Sequence, residues 1–438
     1  MARSMFRRVS VSWLGCMLLA ANVPVVIAQD GGPGTTTSSI INAISEGNLD
    51  LNMLLRFETV DDDALVDSAN GLTLRTALGY TTGEYNHFAA RVLVQDVREV
   101  FVDNFNDGTG RSVRRNRYPV IADPSETDFL EGYLRFTGLS KTTLKVGRQI
   151  ITYRPGPLHR FIGTVGWRQN WQNHDAVTLV NKSLKDTTLS YAYTWNVNRI
   201  FTDEAVISSR ANFISDSHLV NLQYDGFTAG KLEIYGYFLD FDNAPTSSTA
   251  SYGARFSGRQ PVSDTFNINY AAEVAGQDDY ADNPNDVGEF YVQGQLGGNT
   301  TGVGGFDSIG LTFSVEHFSG DGTTSFITPL ATAHAYQGWA DRFLVTPADG
   351  LTDWYVTLNL SNSGFNLTAT YHDLSSDAFD YDYGNEFDVQ LTKALNKHFT
   401  VGIKYADYNA DKNMLNITRN TGPDIDTSKF WAWLQFSY

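Results

Sequence analysis

The sequence predicts an all-β chain, an eighteen-stranded antiparallel transmembrane β-barrel of the outer-membrane porin type with short periplasmic turns and long extracellular loops. Three observations predict it. Apolar and polar residues alternate with period two over segments of about ten residues broken by turn formers. The connectors between those segments alternate short and long along the chain, and the last segment ends on an aromatic residue. Composition fits a folded chain: 42% of the 438 residues are apolar and 13% aromatic, with 38 Gly but only 12 Pro, too apolar for disorder.

The elements follow in order. Arg3, Arg7 and Arg8 precede an apolar run over 9–27 that ends in Val26, Ile27 and Ala28, the pattern of an export leader over 1–28 cleaved near Ala28. Ser10, Ser12, Asn22 and Pro24 dilute the run below a strong membrane anchor. The single cysteine, Cys16, lies inside it, and Trp13 stands at the third position before it, where a lipoprotein signal has an aliphatic residue. The mature chain therefore has no disulfide and no thiolate metal site. Residues 29–48 read as a flexible lead-in and 49–438 as the barrel. Beyond the leader no apolar stretch of about 18 residues occurs, so no helix is expected to cross a membrane.

The first strand alternates Leu49, Leu51, Met53, Leu55 and Phe57 with mainly polar neighbours, and the second alternates Leu72, Leu74, Leu78 and Tyr80. The pattern returns at 88–94, 130–136, 189–197, 266–274, 309–315, 354–360, 365–371, 387–391, 399–405 and 430–438, with weaker copies between. Short connectors fall at 83–86, 139–141, 184–186, 225–229, 259–263, 361–364 and 395–397, with a looser one at 297–305. Long ones fall at 61–70, 99–127, 152–173, 198–215, 242–249, 278–286, 319–351, 374–382 and 408–428. Eight turns and nine loops join eighteen strands. A bacterial outer-membrane barrel sorts its connectors this way, whereas a soluble β-sandwich has no reason to. Closure pairs every backbone polar group and leaves no edge in lipid. Phe430, Ala432, Leu434, Phe436 and the terminal Tyr438 resemble the signal read by the outer-membrane assembly machinery, and Trp354 and Tyr371 read as an interfacial girdle.

If the apolar parity faces lipid, the opposite parity faces the lumen. The first five strands then contribute Arg56, Arg75, Arg91, Arg135 and Lys145, and strands eleven to sixteen contribute Glu273, Glu289, Glu316, Glu386 and Asp388. The two sets lie on different walls, which predicts a transverse field across an aqueous channel. Asp50, Glu58 and Glu131 offer partial pairing to the basic wall. Two long loops are basic. The loop at 99–127 carries Arg111, Arg114, Arg115 and Arg117, and the loop at 152–173 carries Arg154, His159, Arg160 and Arg168. Guanidinium groups folded inward would meet an anion in bidentate fashion; outside, they would meet lipopolysaccharide phosphates. The second loop also holds Phe161, Ile162, Val165 and Trp167, which favours the inward course.

Several phrases are familiar: YPVIADP at 118–124, VGRQI at 146–150, RFIGTVGWRQN at 160–170, and DTTLSYAY at 186–193 through NRIF at 198–201. They resemble the alginate export family of outer-membrane porins, densely from about residue 49 to 240 and by strand rhythm thereafter. That resemblance implies an arginine-rich constriction passing an anionic polysaccharide or oligosaccharide. The sequence departs from it at 395–397, a short turn where the family's exporter is similar in carrying a long periplasmic plug.

Other classes find less support. Acids outnumber bases 49 to 32, and losing Arg3, Arg7 and Arg8 moves the net charge from −17 to −20, which speaks against a nucleic-acid partner. No G-x-S-x-G or H-E-x-x-H motif occurs and the eight His share no spacing, so no enzyme site is expected. Gly302, Gly304 and Gly305 lie in a turn with no helix after them, so no phosphate loop is expected. The acidic loops at 278–286 and 373–382 lack an ordered Ca²⁺ motif and read as solvated surface, and no cofactor is expected. The expected function is an outer-membrane channel for anionic saccharides. The alternatives are a general nutrient porin and a surface-binding adhesin or receptor, for which the long loop at 319–351 speaks. Expected partners besides solute are outer-membrane lipid, lipopolysaccharide and the assembly machinery.

Overall fold

A computed structural model describes residues 39–156, 159–411 and 424–438. The expected leader and its cleavage position near Ala28 lie outside the described residues. The segment expected as a flexible lead-in includes a helical turn, α1 (Ile40–Ser45), whose first turn is capped by the Ser39 hydroxyl accepting from Asn42 N at 3.1 Å.

Eighteen strands form one antiparallel sheet among the described residues. They are β1 (Asn48–Asp62), β2 (Ala69–Thr81), β3 (Phe88–Asn104), β4 (Glu126–Leu139), β5 (Thr142–Gln149) and β6 (Asn173–Asn181). Next come β7 (Thr187–Asn198), β8 (Asn212–Phe227), β9 (Gly230–Leu239), β10 (Thr249–Pro261), β11 (Phe266–Asp279) and β12 (Gly288–Val303). The rest are β13 (Phe306–Phe318), β14 (Leu351–Asn362), β15 (Phe365–Ser375), β16 (Asp382–Ala394), β17 (Phe399–Ala410) and β18 (Thr427–Ser437). Each strand pairs with its sequence neighbours, and β1 pairs with both β2 and β18. The sheet therefore closes with no edge, the condition for strands to sit in lipid.

Eleven of the twelve alternating segments fall within strands, and the last, 430–438, runs one residue past the end of β18. Turn chemistry fixes the short rim. Between β14 and β15 Ser363 and Gly364 adopt φ 52° and 80°, the left-handed pair that matches the twist of a tight hairpin. Both ends of the barrel chain meet at that rim, where Leu51 N donates to Tyr438 O at 3.1 Å and Tyr438 N to Leu51 O at 2.9 Å. The looser turn expected at 297–305 tightens because β12 runs on to Val303.

The faces follow the expected parity. Val92 and Leu134 are 45% and 48% exposed, while Arg91 and Arg135 beside them are 7% and 8%. Arg75 and Lys404 are buried inward, and Trp354 and Tyr371 are exposed outward. A charge at the centre of the outward face, such as Leu296→Arg between Tyr270 and Phe313, is expected to cost about 2–4 kcal/mol. Reversible denaturant unfolding in liposomes measures this.

The interior departs from the expected aqueous channel. Phe161, Ile162 and Trp167 from the connector after β5 pack with Phe326, Leu330, Ala340 and Phe343 from the connector after β13. Inward aromatics of the wall, among them Tyr235, Tyr291, Trp431 and Trp433, complete one hydrophobic core inside the barrel. Burying these apolar groups supplies the drive for both loops to fold inward.

Candidate functional site

The two inward loops, 150–172 and 319–350, form a plug held together by backbone bonds. Gly163 N donates to Leu330 O at 2.8 Å and Thr332 N to His159 O at 3.1 Å. Trp167 stacks on His334 with ring centroids 4.9 Å apart. The adhesin reading lost its main support here, because 319–350 lies within the barrel and not on its surface.

Wall carboxylates anchor both loops. Arg154 meets Glu273 through two bonds of 3.0 and 2.6 Å and Glu233 through one of 2.8 Å. Arg160 bonds Gln337 at 3.0 Å and lies 3.5 Å from Glu316. Arg168 joins Glu58 of β1 at 2.9 Å to Asp341 of the facing loop at 3.1 Å. Glu386 accepts from Ala340 N at 2.6 Å, Asp388 from Trp339 N at 3.1 Å, and Glu289 from Thr324 Oγ1 at 2.8 Å. All five expected acidic residues thus point inward, yet each is at most 9% exposed and grips a plug loop or the arginine it carries. The transverse field pictured between open walls is largely spent in these contacts.

The basic wall is spent in the same way. Arg56 bonds Asp123 and the Trp167 carbonyl, fastening the plug to β1. Arg91 pairs with Asp50 at 2.9 Å and with Glu131; Arg135 lies 3.9 Å from Glu84. Lys145 sits 4.7 Å over the Tyr133 ring. Arg75 differs. Its partners are the neutral Asn52 at 2.9 Å and Gln95 at 3.3 Å, with the guanidinium 4.0 Å over the Trp171 ring. Among the described residues it has no carboxylate partner.

The basic loop after β3 does not enter the lumen with its arginines. Arg111, Arg114 and Arg117 are exposed and Arg115 is half-buried. Neighbouring acids hold three of them at the outer rim: Arg111 pairs with Glu204, Arg117 with Asp67, and Arg115 with Glu99 at 2.6 Å. The two ends of this loop turn inward, burying Phe105 at its start and Ile121 and Asp123 at its end.

Above the plug opens a vestibule of 930 Å³. Its floor includes Arg168, Gln172, His334 and Asp341, and its sides include Phe201 and Phe213. Five cations line it (Arg168, Arg199, Arg210, Arg342, Lys429) against two carboxylates, Asp62 and Asp341. Arg342 pairs with Asp62 at 2.9 Å and Lys429 with Asp341 at 2.7 Å. The half-buried Arg199 and the exposed Arg210 bond only carbonyls, those of Ser209 at 2.7 Å and Gly108 at 3.2 Å. Arg199 also lies 4.3 Å over the Phe213 ring. Burial, with Arg210 nearby, brings the Arg199 guanidinium down to about 10, the mark of a cation with no counterion close by. Sequence reasoning missed this pair. Asp203 and Glu204 in the same loop suggest local neutralisation, but Glu204 is taken by Arg111. Inward Trp431 and Trp433 were missed as well; their signal was aromatic character on the polar parity of β18.

No family model and no curated protein matches the chain. Solved structures do match in fold. OccAB2 of Acinetobacter baumannii aligns over 91% of this chain and 99% of its own, at 14% identity and a TM-score of 0.69. OpdK of Pseudomonas aeruginosa, solved with vanillate, aligns over 89% and 98% at 12% identity and TM-score 0.67. OccK9 (OpdG) of the same organism aligns over 91% and 100% at 12% and 0.69. These findings correct the alginate export resemblance: the structures this chain resembles are the Occ and Opd proteins. Inside the barrel of this chain the two loops meet across the lumen, where Phe161 of one packs on Phe326 of the other. The chain shares the fold of these proteins, a closed antiparallel barrel of eighteen strands.

Proposed function

We propose that the protein is an outer-membrane channel that admits small anionic solutes, carboxylates foremost, by way of the vestibule above its plug. The observation that carries this is the vestibule's charge: five cations against two carboxylates in a chain whose acids outnumber bases 49 to 32. Local charge outweighs global charge, since distant loop carboxylates are screened over a Debye length of about 8 Å at physiological salt. Phe201 beside Arg199 and Arg210 suits the apolar body of such a solute, and vanillate, seen with OpdK, is an aromatic carboxylate of this kind. The buried plug favours solutes far smaller than a polysaccharide.

Reversal potentials across a KCl gradient in planar bilayers test the reading, and anion preference is the expected result. In liposome swelling, benzoate is expected to enter faster than a neutral sugar of similar size. Absence of discrimination in both assays would return the general nutrient porin, and absence of conductance would remove the channel reading altogether.

A further inference from the structure

The short helix α1 has no part in the plug or the vestibule, yet it displays an apolar face. Ile40, Ile41 and Ile44 are 60%, 73% and 55% exposed, while Ala43 between them is buried. No charged residue falls between Ser39 and Ser45. Two contacts fix where this face points. The Ala43 carbonyl accepts from Gly83 N at 2.7 Å, which seats the helix on the short turn joining β2 and β3. The Tyr80 hydroxyl donates to the Ile44 carbonyl. Tyr80 has the outward parity of β2, shared with Leu74 and Leu78 and opposite to the buried Thr73, Arg75 and Ala77. The helix therefore lies against the outside of the barrel wall at its periplasmic rim. Gly47 permits this course, since a Cβ there would collide with the Tyr80 ring.

Beside the helix the wall is apolar. Leu49, paired with Tyr80 in the sheet, is exposed on the outward face, and Leu78, Phe88 and Val92 are exposed nearby. The isoleucines thus continue the lipid-facing belt beyond the last strand residues. We propose that α1 is an interfacial foot whose Ile40, Ile41 and Ile44 side chains insert into the acyl region of the periplasmic leaflet. This rests on the reading of the barrel as membrane-embedded. A short neutral helix with one apolar face matches the boundary between headgroups and acyl chains, and its two contacts with the β2–β3 hairpin tie the start of the barrel chain to that depth.

The sole cysteine of the sequence is Cys16, in the expected leader, so single-cysteine variants label cleanly. Ile41→Cys, Val92→Cys on the lipid belt and Lys185→Cys on an exposed short turn are each labelled with a nitroxide in phosphatidylcholine liposomes. Relative accessibility to oxygen and to a water-soluble nickel chelate reports depth. The foot is supported if Ile41→Cys favours oxygen as Val92→Cys does. Accessibility like that of Lys185→Cys, or shielding from both reagents, overturns it while Val92→Cys still reports lipid. If Val92→Cys also reports water, the embedded-barrel reading fails first and the foot falls with it.

Discussion

Arg168→Ala is expected to raise mean conductance several-fold and to add open-channel flicker. This side chain connects three parts of the protein: it bonds Glu58 on β1 at 2.9 Å and Asp341 on the facing loop at 3.1 Å, and lies 3.9 Å from Asp123. Its removal leaves carboxylates in a buried site with less compensating charge, a loss of about 3–5 kcal/mol when one partner of a buried pair is deleted. That is comparable to the free energy at which loops open locally without global unfolding, so the plug is expected to loosen while the barrel persists. Arg168→Lys keeps the charge but loses the planar fork that reaches two carboxylates, and an intermediate conductance is expected. Single-channel recording checks both variants, with heat-modifiable gel migration as the control for an intact barrel. Unchanged conductance and noise would mean that the backbone bonds between the loops, such as Gly163 N to Leu330 O, hold the plug without this arginine.

The double change Arg199→Glu and Arg210→Glu is expected to abolish or invert anion preference. Neither arginine is in an ion pair among the described residues, so the reversal breaks no salt bridge and little loss of barrel stability is expected. It converts five cations and two carboxylates around the vestibule into three and four. A fall of about tenfold in the anion-to-cation permeability ratio, equivalent to about 1.4 kcal/mol, is the expected size. The change should fade at about 1 M salt, where the Debye length shrinks to about 3 Å, and the glutamine pair should give a smaller shift. Reversal potentials at low and high salt measure it. A wild-type ratio in the glutamate variant would place the selective charge outside the vestibule.

Much of this was legible before the fold was known, and the reason is locality. A strand needs only its own alternation to set its two faces, so Arg75, Arg91 and Arg135 are assigned inward from their immediate neighbours. Connector length is local as well, which is why the two rims follow from the sequence. Loop 150–172 announced its inward course through Phe161, Ile162 and Trp167. Loop 319–350 gave no such warning, because its apolar residues are spread among Gly, Thr and Ala and find their partners on the other loop and on distant strands, as Phe326 does on Phe161 and Tyr291. The phrases at 146–150 and 160–170 build the plug and its wall. A plug fits any solute small enough to pass it, so those words do not specify a cargo.

The sequence by itself determined a closed barrel, its strand parity and the inward set of charges. Tertiary structure alone decided which of those charges stay available to a solute. Arg168 and Asp341, Arg154 and Glu273, and Arg342 and Asp62 are far apart in the chain, and each pair forms only because a loop folds into the lumen or over its mouth. Facing is a property of one residue and its neighbours, whereas neutralisation belongs to two residues whose separation is set by how the loops pack. For that reason Glu386 and Asp388, conspicuous in the sequence, hold a loop, while Arg199 and Arg210, inconspicuous there, face open space.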